Sequence, residues 1–315
     1  MSNSFMIITK IFPIILLIIT GSFFREIHLI KPSSVEDLKK LIVNLALPAV
    51  LFLTFSTTHF QPQYFWLVTV IFITCVLLLL IGMGITRLLI PNKKYLPSLF
   101  SGFEMGMMGY ALFTIVFGVN HLFNLAIVDL GQVLFVFFIL VTYIEKKNGL
   151  ASSPLQVVNS FFKSPVIISI IAGITIGSLG WAGYLTDNLF TNAFLETFKF
   201  FSNLVVPLIC LEIGYELRFD WKNMNRPIVL ALSRFGLNLI FAYLINQFIL
   251  IKILNMDRMF SIALYTMFIL PPPFVIPIFM KNSDEEEKQL ILNTITFNII
   301  LSLIAYPVLL ILMDS

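Results

Sequence analysis

Four ionisable residues, Glu104, Asp129, Glu212 and Arg234, stand inside stretches that are otherwise apolar. A carboxyl group held away from water can exchange a proton or hold a small cation. A guanidinium can clamp a carboxylate through paired N–H groups. Charge at bilayer depth is costly, so residues of this kind mark proton, ion or substrate paths. Glu104 lies in "SGFEMGMMGYALF", with Gly102, Gly106 and Gly109 around it, which makes it the leading candidate for proton coupling. Asp129 falls roughly 10 Å into its apolar stretch at 1.5 Å per residue. Glu212 and Arg234 read either as a structural ion pair or as part of an ion path.

Two amides offer a second kind of chemistry. Asn44 and Asn203 each open an Asn-Leu-x-x-Pro sequence, with Pro48 and Pro207 completing copies that are 159 positions apart. Proline has no N–H, so the carbonyl four residues before it loses its helical donor. Each Asn therefore carries a side-chain amide beside a freed carbonyl, a pair suited to a polar substrate group. The alternative is a proline kink satisfied by neighbouring helices. The stretch "TMFILPPPFVIPIFMK" goes further, because Pro271, Pro272 and Pro273 free the carbonyls of Met267, Phe268 and Ile269. An unsatisfied backbone group costs several kcal/mol in hydrocarbon, so such a break survives only inside protein or beside a water-filled cavity. Gly102, Gly106 and Gly109 weaken a helix in the same way, although Gly102 and Gly106 also have the spacing of a helix-packing pair.

The elements that must position these residues are membrane spans. Of 315 residues, 58% are hydrophobic, 12% are charged and 33 are Phe. Soluble domains carry about 25% charged residues, so most of this chain belongs in lipid, with no room for a separate soluble domain. The sequence predicts an all-α membrane protein of ten transmembrane helices, at 5–24, 38–56, 65–90, 96–117, 122–144, 165–184, 199–215, 227–251, 259–280 and 288–313. The loops after the first, third, fifth, seventh and ninth spans hold four, three, three, three and two Lys or Arg, against four on the other side. Positive loops stay cytoplasmic, so both termini are expected outside. The first apolar stretch has no small-residue cleavage site and reads as a span, not a signal peptide.

The longest link between spans, about 145–164, divides the chain into a first repeat, 1–150, and a second, 151–315. Five spans is an odd number, so two copies must run in opposite directions across the membrane. The Asn-Leu-x-x-Pro copies fall in the second span of each half, and the interrupted spans 4 and 9 fall in the fourth. Interrupted segments at corresponding positions of two halves point to the site of a secondary transporter. The freed carbonyls and half-helix ends, with Gly106, Gly109, Pro271, Pro272 and Pro273, would form it.

At these residues the chain resembles the auxin efflux carrier family, which includes the plant PIN carriers and bacterial malonate and malate permeases. The resemblance rests on "LPAVLFLTFS", Gly106-x-x-Gly109, "DLGQ" at 129–132, "NLVVPLICLEIGYEL" and the proline-rich ninth span. It implies inverted five-helix repeats with broken crossover helices, in which spans 1, 2, 6 and 7 form a scaffold that dimerises. Spans 3–5 and 8–10 would form a transport domain that moves like an elevator. It also implies organic anions as substrates. The family often has Asn before the Gly-x-x-Gly element and Pro after it, where this chain has Glu104 and Tyr110-Ala111.

The expectation is a secondary active transporter of a small carboxylate across the plasma membrane, with or without proton or sodium coupling. The alternative is a cation/proton antiporter using Glu104 and Asp129. Cys75 and Cys210 read as small buried hydrophobes. His28, His59 and His121 lie in loops or at span ends without metal-ligand spacing. No nucleotide-binding motif is present, so the expectation is a non-enzymatic protein with no cofactor and no nucleic-acid partner.

Overall fold

The computed structural model describes residues 3–57, 61–149, 154–181, 183, 188–216, 224–280 and 284–314, and His59 lies outside them. Every element among the described residues is helical. Seven helical stretches are long and apolar enough to cross a membrane, and Pro165–Ser178 and Arg258–Ile269 are shorter apolar helices. Composition dictates this result, since backbone in hydrocarbon must bond within its own segment. The most apolar run, Pro62–Leu89, has a mean hydropathy of 2.8, and only a third of its most apolar window is buried. The rest of its apolar surface faces outward, as a lipid-facing helix requires.

The chain divides into two compact units, and each draws on both halves of the sequence. The first comprises 1–64, 106–126 and 160–217. It contains helices α1 (Asn3–Glu26), α2 (Pro32–Leu41), α3 (Leu47–Ser56) and α5 (Tyr110–Phe117). Helices α9 (Pro165–Ser178), α10 (Leu189–Ser202) and α11 (Val205–Glu216) complete it.

Two close helix crossings hold this unit, and glycine makes both possible. In the first, α1 meets α11: a Cβ on Gly21 would sit 2.1 Å from the Leu211 carbonyl oxygen, and one on Gly214 would sit 1.9 Å from that of Ile18. Small residues let helix backbones approach where no hydrophobic force drives association. Ser22 and Arg25 of α1 reinforce the crossing by donating to the Gly214 and Tyr215 carbonyls. In the second, α3 meets α9, and a Cβ on Gly173 would come within 2.8 Å of the Phe55 Cβ. The expected sixth span, 165–184, is helical from Pro165 to Ser178, and Gly180 (φ 68°) ends it in the left-handed region.

The second unit comprises 65–105, 127–159 and 218–315. Most of α4 (Pro62–Leu89), the 3-10 turn Leu96–Phe100 and the later part of α6 (Leu122–Phe135) belong to it. After α6 come a π-helical turn, Val136–Leu140, and α7 (Val141–Lys147), while α8 (Pro154–Lys163) straddles the division. The remainder is α12 (Asn225–Leu244), α13 (Arg258–Ile269), α14 (Val275–Phe279) and α15 (Glu285–Asp314). Asp257 starts α13 by accepting from the Met259 and Phe260 N–H groups, and the three prolines stop it. Helix α12 packs against both α13 and α15.

Candidate functional site

Two non-helical stretches of the second unit lie side by side. Gly102, at φ 69°, turns the chain out of the 3-10 helix, and 101–104 is irregular. Leu270 leaves α13 in extended conformation (φ −68°, ψ 155°), and the chain stays non-helical through Pro273. The Glu104 N–H donates to the Pro271 carbonyl at 2.9 Å, and Glu104 Oε2 accepts from the Phe274 N–H at 2.6 Å. A Cβ on Gly102 would stand 2.7 Å from Pro273 Cγ, so only glycine permits the approach.

Arg234, fully buried on α12, ties the two stretches together. Its Nε donates to the Leu99 carbonyl at 2.6 Å, Nη2 to Gly102 at 2.7 Å and Nη1 to Leu270 at 2.9 Å. Its Cζ lies 5.2 Å from the centre of the Phe103 ring. Among the described residues no carboxylate comes within ion-pair distance of it. Three carbonyls at the C-terminal ends of interrupted helices take that place, because those ends carry partial negative charge. A rigid guanidinium fork reaches all three, which a lysine ammonium cannot do with the same geometry.

The remaining freed groups are met by side chains from elsewhere in the unit. Gln132 uses both ends of its amide, accepting from the Phe103 N–H and donating to the Phe103 carbonyl, each at 3.2 Å. The same amide nitrogen donates to Asp129 Oδ1 at 3.1 Å, which connects the second acid to the joint. Ser302 of α15 donates to the Ile269 carbonyl at 2.5 Å, and the Leu270 N–H donates to Met267. The prolines therefore leave acceptors that Arg234, Ser302 and the backbone fill. Glu104 and Asp129 are 8% and 5% exposed, so two acids and one guanidinium share a dry polar joint.

The first unit holds the other candidates. Asn44 lies in a π-helical turn, Ile42–Ala46, where the Leu47 N–H reaches back five residues to Ile42. Its amide donates to the Lys40 carbonyl at 2.8 Å, so Pro48 follows a widened turn in a continuing helix and not an opening. Asn203 ends α10, and α11 starts two residues later, before Pro207. It lines a cavity of about 450 Å³ together with Thr54, Asn120, Phe123, Lys199 and Ser202. One cation, amides, hydroxyls and an aromatic ring face that space, which suits a small anion with an apolar body. Lys199 itself is paired with Glu196 at 2.6 Å. Gly106 and Gly109 belong to the π-helical turn Met105–Gly109, and the division between the units falls within it.

Glu212 and Arg234 take separate roles. Lys39 Nζ lies 3.4 Å from the buried Glu212 carboxylate and also pairs with Glu216, whereas Arg234 serves carbonyls.

No family model matches the chain. It is 25% identical over 211 residues to a protein of Methanocaldococcus jannaschii described as an uncharacterized transporter. The match covers 65% of this chain and 67% of that relative. With the multi-span apolar helices, this makes the chain a transporter-like membrane protein.

In this protein, Glu104, Asp129, Arg234, Pro271, Pro272 and Pro273 are within one unit around one joint. Asn44, Pro48, Gly106, Gly109, Asn203, Pro207 and Glu212 are in the other unit, and only Asn203 among them lines the cavity. Gln132, Ser302, Lys39 and Lys199 were not singled out from the sequence as site residues. A polar residue inside an apolar run was the available signal for Gln132 and Ser302. For Lys39 and Lys199 no local signal existed, because their surroundings come from distant helices.

Proposed function

We propose that the protein is a secondary active transporter that moves a small organic anion across the plasma membrane, with proton coupling through Glu104. The observation that carries this reading is the buried joint at 101–104 and 270–273. Interrupted helices held by Arg234, with two acids attached, form a unit that can change protonation without exposing backbone to lipid. Asn203 and Lys199 in the 450 Å³ cavity provide donors and positive charge for a carboxylate. The archaeal transporter relative and the resemblance to auxin efflux carriers point the same way.

The mechanism proposed is elevator-like alternating access, with two inverted five-span repeats, broken crossover helices and a homodimer formed through the scaffold. The division into units supports it: most of spans 3–5 and 8–10 fall in one unit, and spans 1, 2, 6 and 7 in the other. The reciprocal pairing of span 1 with span 7 and span 2 with span 6 is the pattern that an internal two-fold would generate.

Glu104→Gln keeps the side-chain shape and its acceptor for Phe274 but removes the titratable proton. In proteoliposomes, this variant should exchange substrate across the membrane while losing the pH dependence of net flux. A wild-type pH profile in the variant would make Glu104 a structural acid. A second reading, a cation/proton antiporter, draws on the presence of both Glu104 and Asp129 at the joint. Sodium-driven proton movement without any carboxylate flux would favour it.

A further inference from the structure

At one end of α4 the second unit has a small basic pocket that shares no residue with the joint. It has a volume of about 90 Å³ and is lined by Arg87, Lys93, Lys94, Lys147, Asn92 and Tyr143, among others. Among the described residues no acidic side chain lines it. Lys93 has its own partners, Asp284 at 2.9 Å and Glu286 at 2.7 Å, which hold its pKa above the ordinary lysine value. The other three cations have no carboxylate within ion-pair distance among the described residues. Lys94 Nζ lies over the Tyr95 ring and near the Lys147 carbonyl, and Lys147 Nζ lies over the Tyr143 ring. Rings and a carbonyl offset only part of that charge, so three cations around one small space favour an anion between them.

Its setting identifies the source of the anion. Leu88 and Leu89, next to Arg87 at the end of an apolar 28-residue helix, are 86% and 48% exposed. Apolar surface that open belongs against acyl chains, so the pocket sits where the lipid-facing surface stops. The charge count over the loops assigns this end to the cytoplasmic side, where anionic lipids concentrate. We propose that the pocket binds the phosphate headgroup of an anionic phospholipid, with Arg87, Lys94 and Lys147 on the phosphate oxygens and Leu88 and Leu89 against an acyl chain. Free inorganic phosphate has the same oxyanion chemistry but nothing to place on the leucines.

The test uses purified full-length protein in a neutral detergent, with native mass spectrometry and thermal melting as readouts. Dioleoyl phosphatidylglycerol should be retained and should raise the melting temperature well below the concentration at which dioleoyl phosphatidylcholine does. Arg87→Gln, Lys94→Gln and Lys147→Gln should each weaken that retention roughly fivefold, as expected for one charge near a membrane surface. Lys163→Gln, which does not line the pocket, should leave it unchanged. Because a triple variant risks misfolding, the single variants decide the matter. Equal retention of the two lipids, or of phosphatidylglycerol by wild type and all three single variants, overturns the proposal. Displacement of phosphatidylglycerol by millimolar inorganic phosphate alone also overturns it, in favour of a soluble-anion site.

Discussion

The joint in one unit and the cavity in the other solve opposite problems. At the joint, irregular backbone is buried and its polar groups are met: Arg234 takes three carbonyls, Gln132 takes both groups of Phe103, and Ser302 takes Ile269. At the cavity, Asn203, Asn120 and Ser202 face about 450 Å³ of open space. The first region spends its polar side chains on its own backbone. In the second, Ser202 and Thr54 bond carbonyls of their own helices, but the Asn203 and Asn120 amides are left to a ligand. A change at the joint should therefore damage folding first, and a change at the cavity should damage transport first.

Arg234 offers the strongest way to break that comparison. Arg234→Met leaves the Leu99, Gly102 and Leu270 carbonyls without a donor, at about 1–3 kcal/mol for each buried group left unsatisfied. Folded, monodisperse protein should be largely lost in size-exclusion chromatography. Arg234→Lys keeps the charge but not the fork, so it should fold at a lower melting temperature. Normal melting of Arg234→Met would mean that the joint does not depend on its guanidinium.

Gly102→Ala should come next. It forces an L side chain to φ 69° and drives a methyl into Pro273. The expected cost is roughly 1–3 kcal/mol of stability, with folded yield falling first and flux falling with it. Unchanged flux at reduced stability would make their approach a packing feature alone.

At the cavity, Asn203→Ala and Lys199→Gln should change stability by less than about 0.5 kcal/mol while raising the substrate concentration needed for half-maximal flux. Asn44→Ala is the matched control, since its amide is tied to Lys40 within its own helix. Equal transport defects at Asn44 and Asn203 would restore the symmetric reading of the two Asn-Leu-x-x-Pro copies.

The smallest effect concerns Asp284, which caps α15 by accepting from the Glu287 N–H at 2.6 Å. That N–H, followed by Lys93, holds its carboxyl below the ordinary aspartate range. A lowered folded-state pKa contributes stability above the unfolded value, near pH 4, that is lost as pH falls through the folded value. Asp284→Asn should therefore lower the melting temperature slightly at neutral pH and flatten its decline below about pH 4. A decline that stays as steep in the variant would assign the acid sensitivity to other carboxylates.

The sequence by itself determined that this is a multi-span membrane protein and that its chain breaks out of helix around Gly102 and at Pro271–Pro273. Apolar composition acts residue by residue, and proline and glycine act within one turn, so no distant contact is needed to read either. Which groups repair the breaks was decided by tertiary structure alone. Arg234 lies 132 and 36 positions from two of its acceptors, Gly102 and Leu270, and Ser302 lies 33 from Ile269. Identical Asn-Leu-x-x-Pro sequences also diverged for this reason: a π-helical turn absorbs Pro48, whereas the helix ends at Asn203 beside a cavity built from three separate segments. A freed carbonyl in lipid must find a donor, but local sequence does not say from which helix that donor will come.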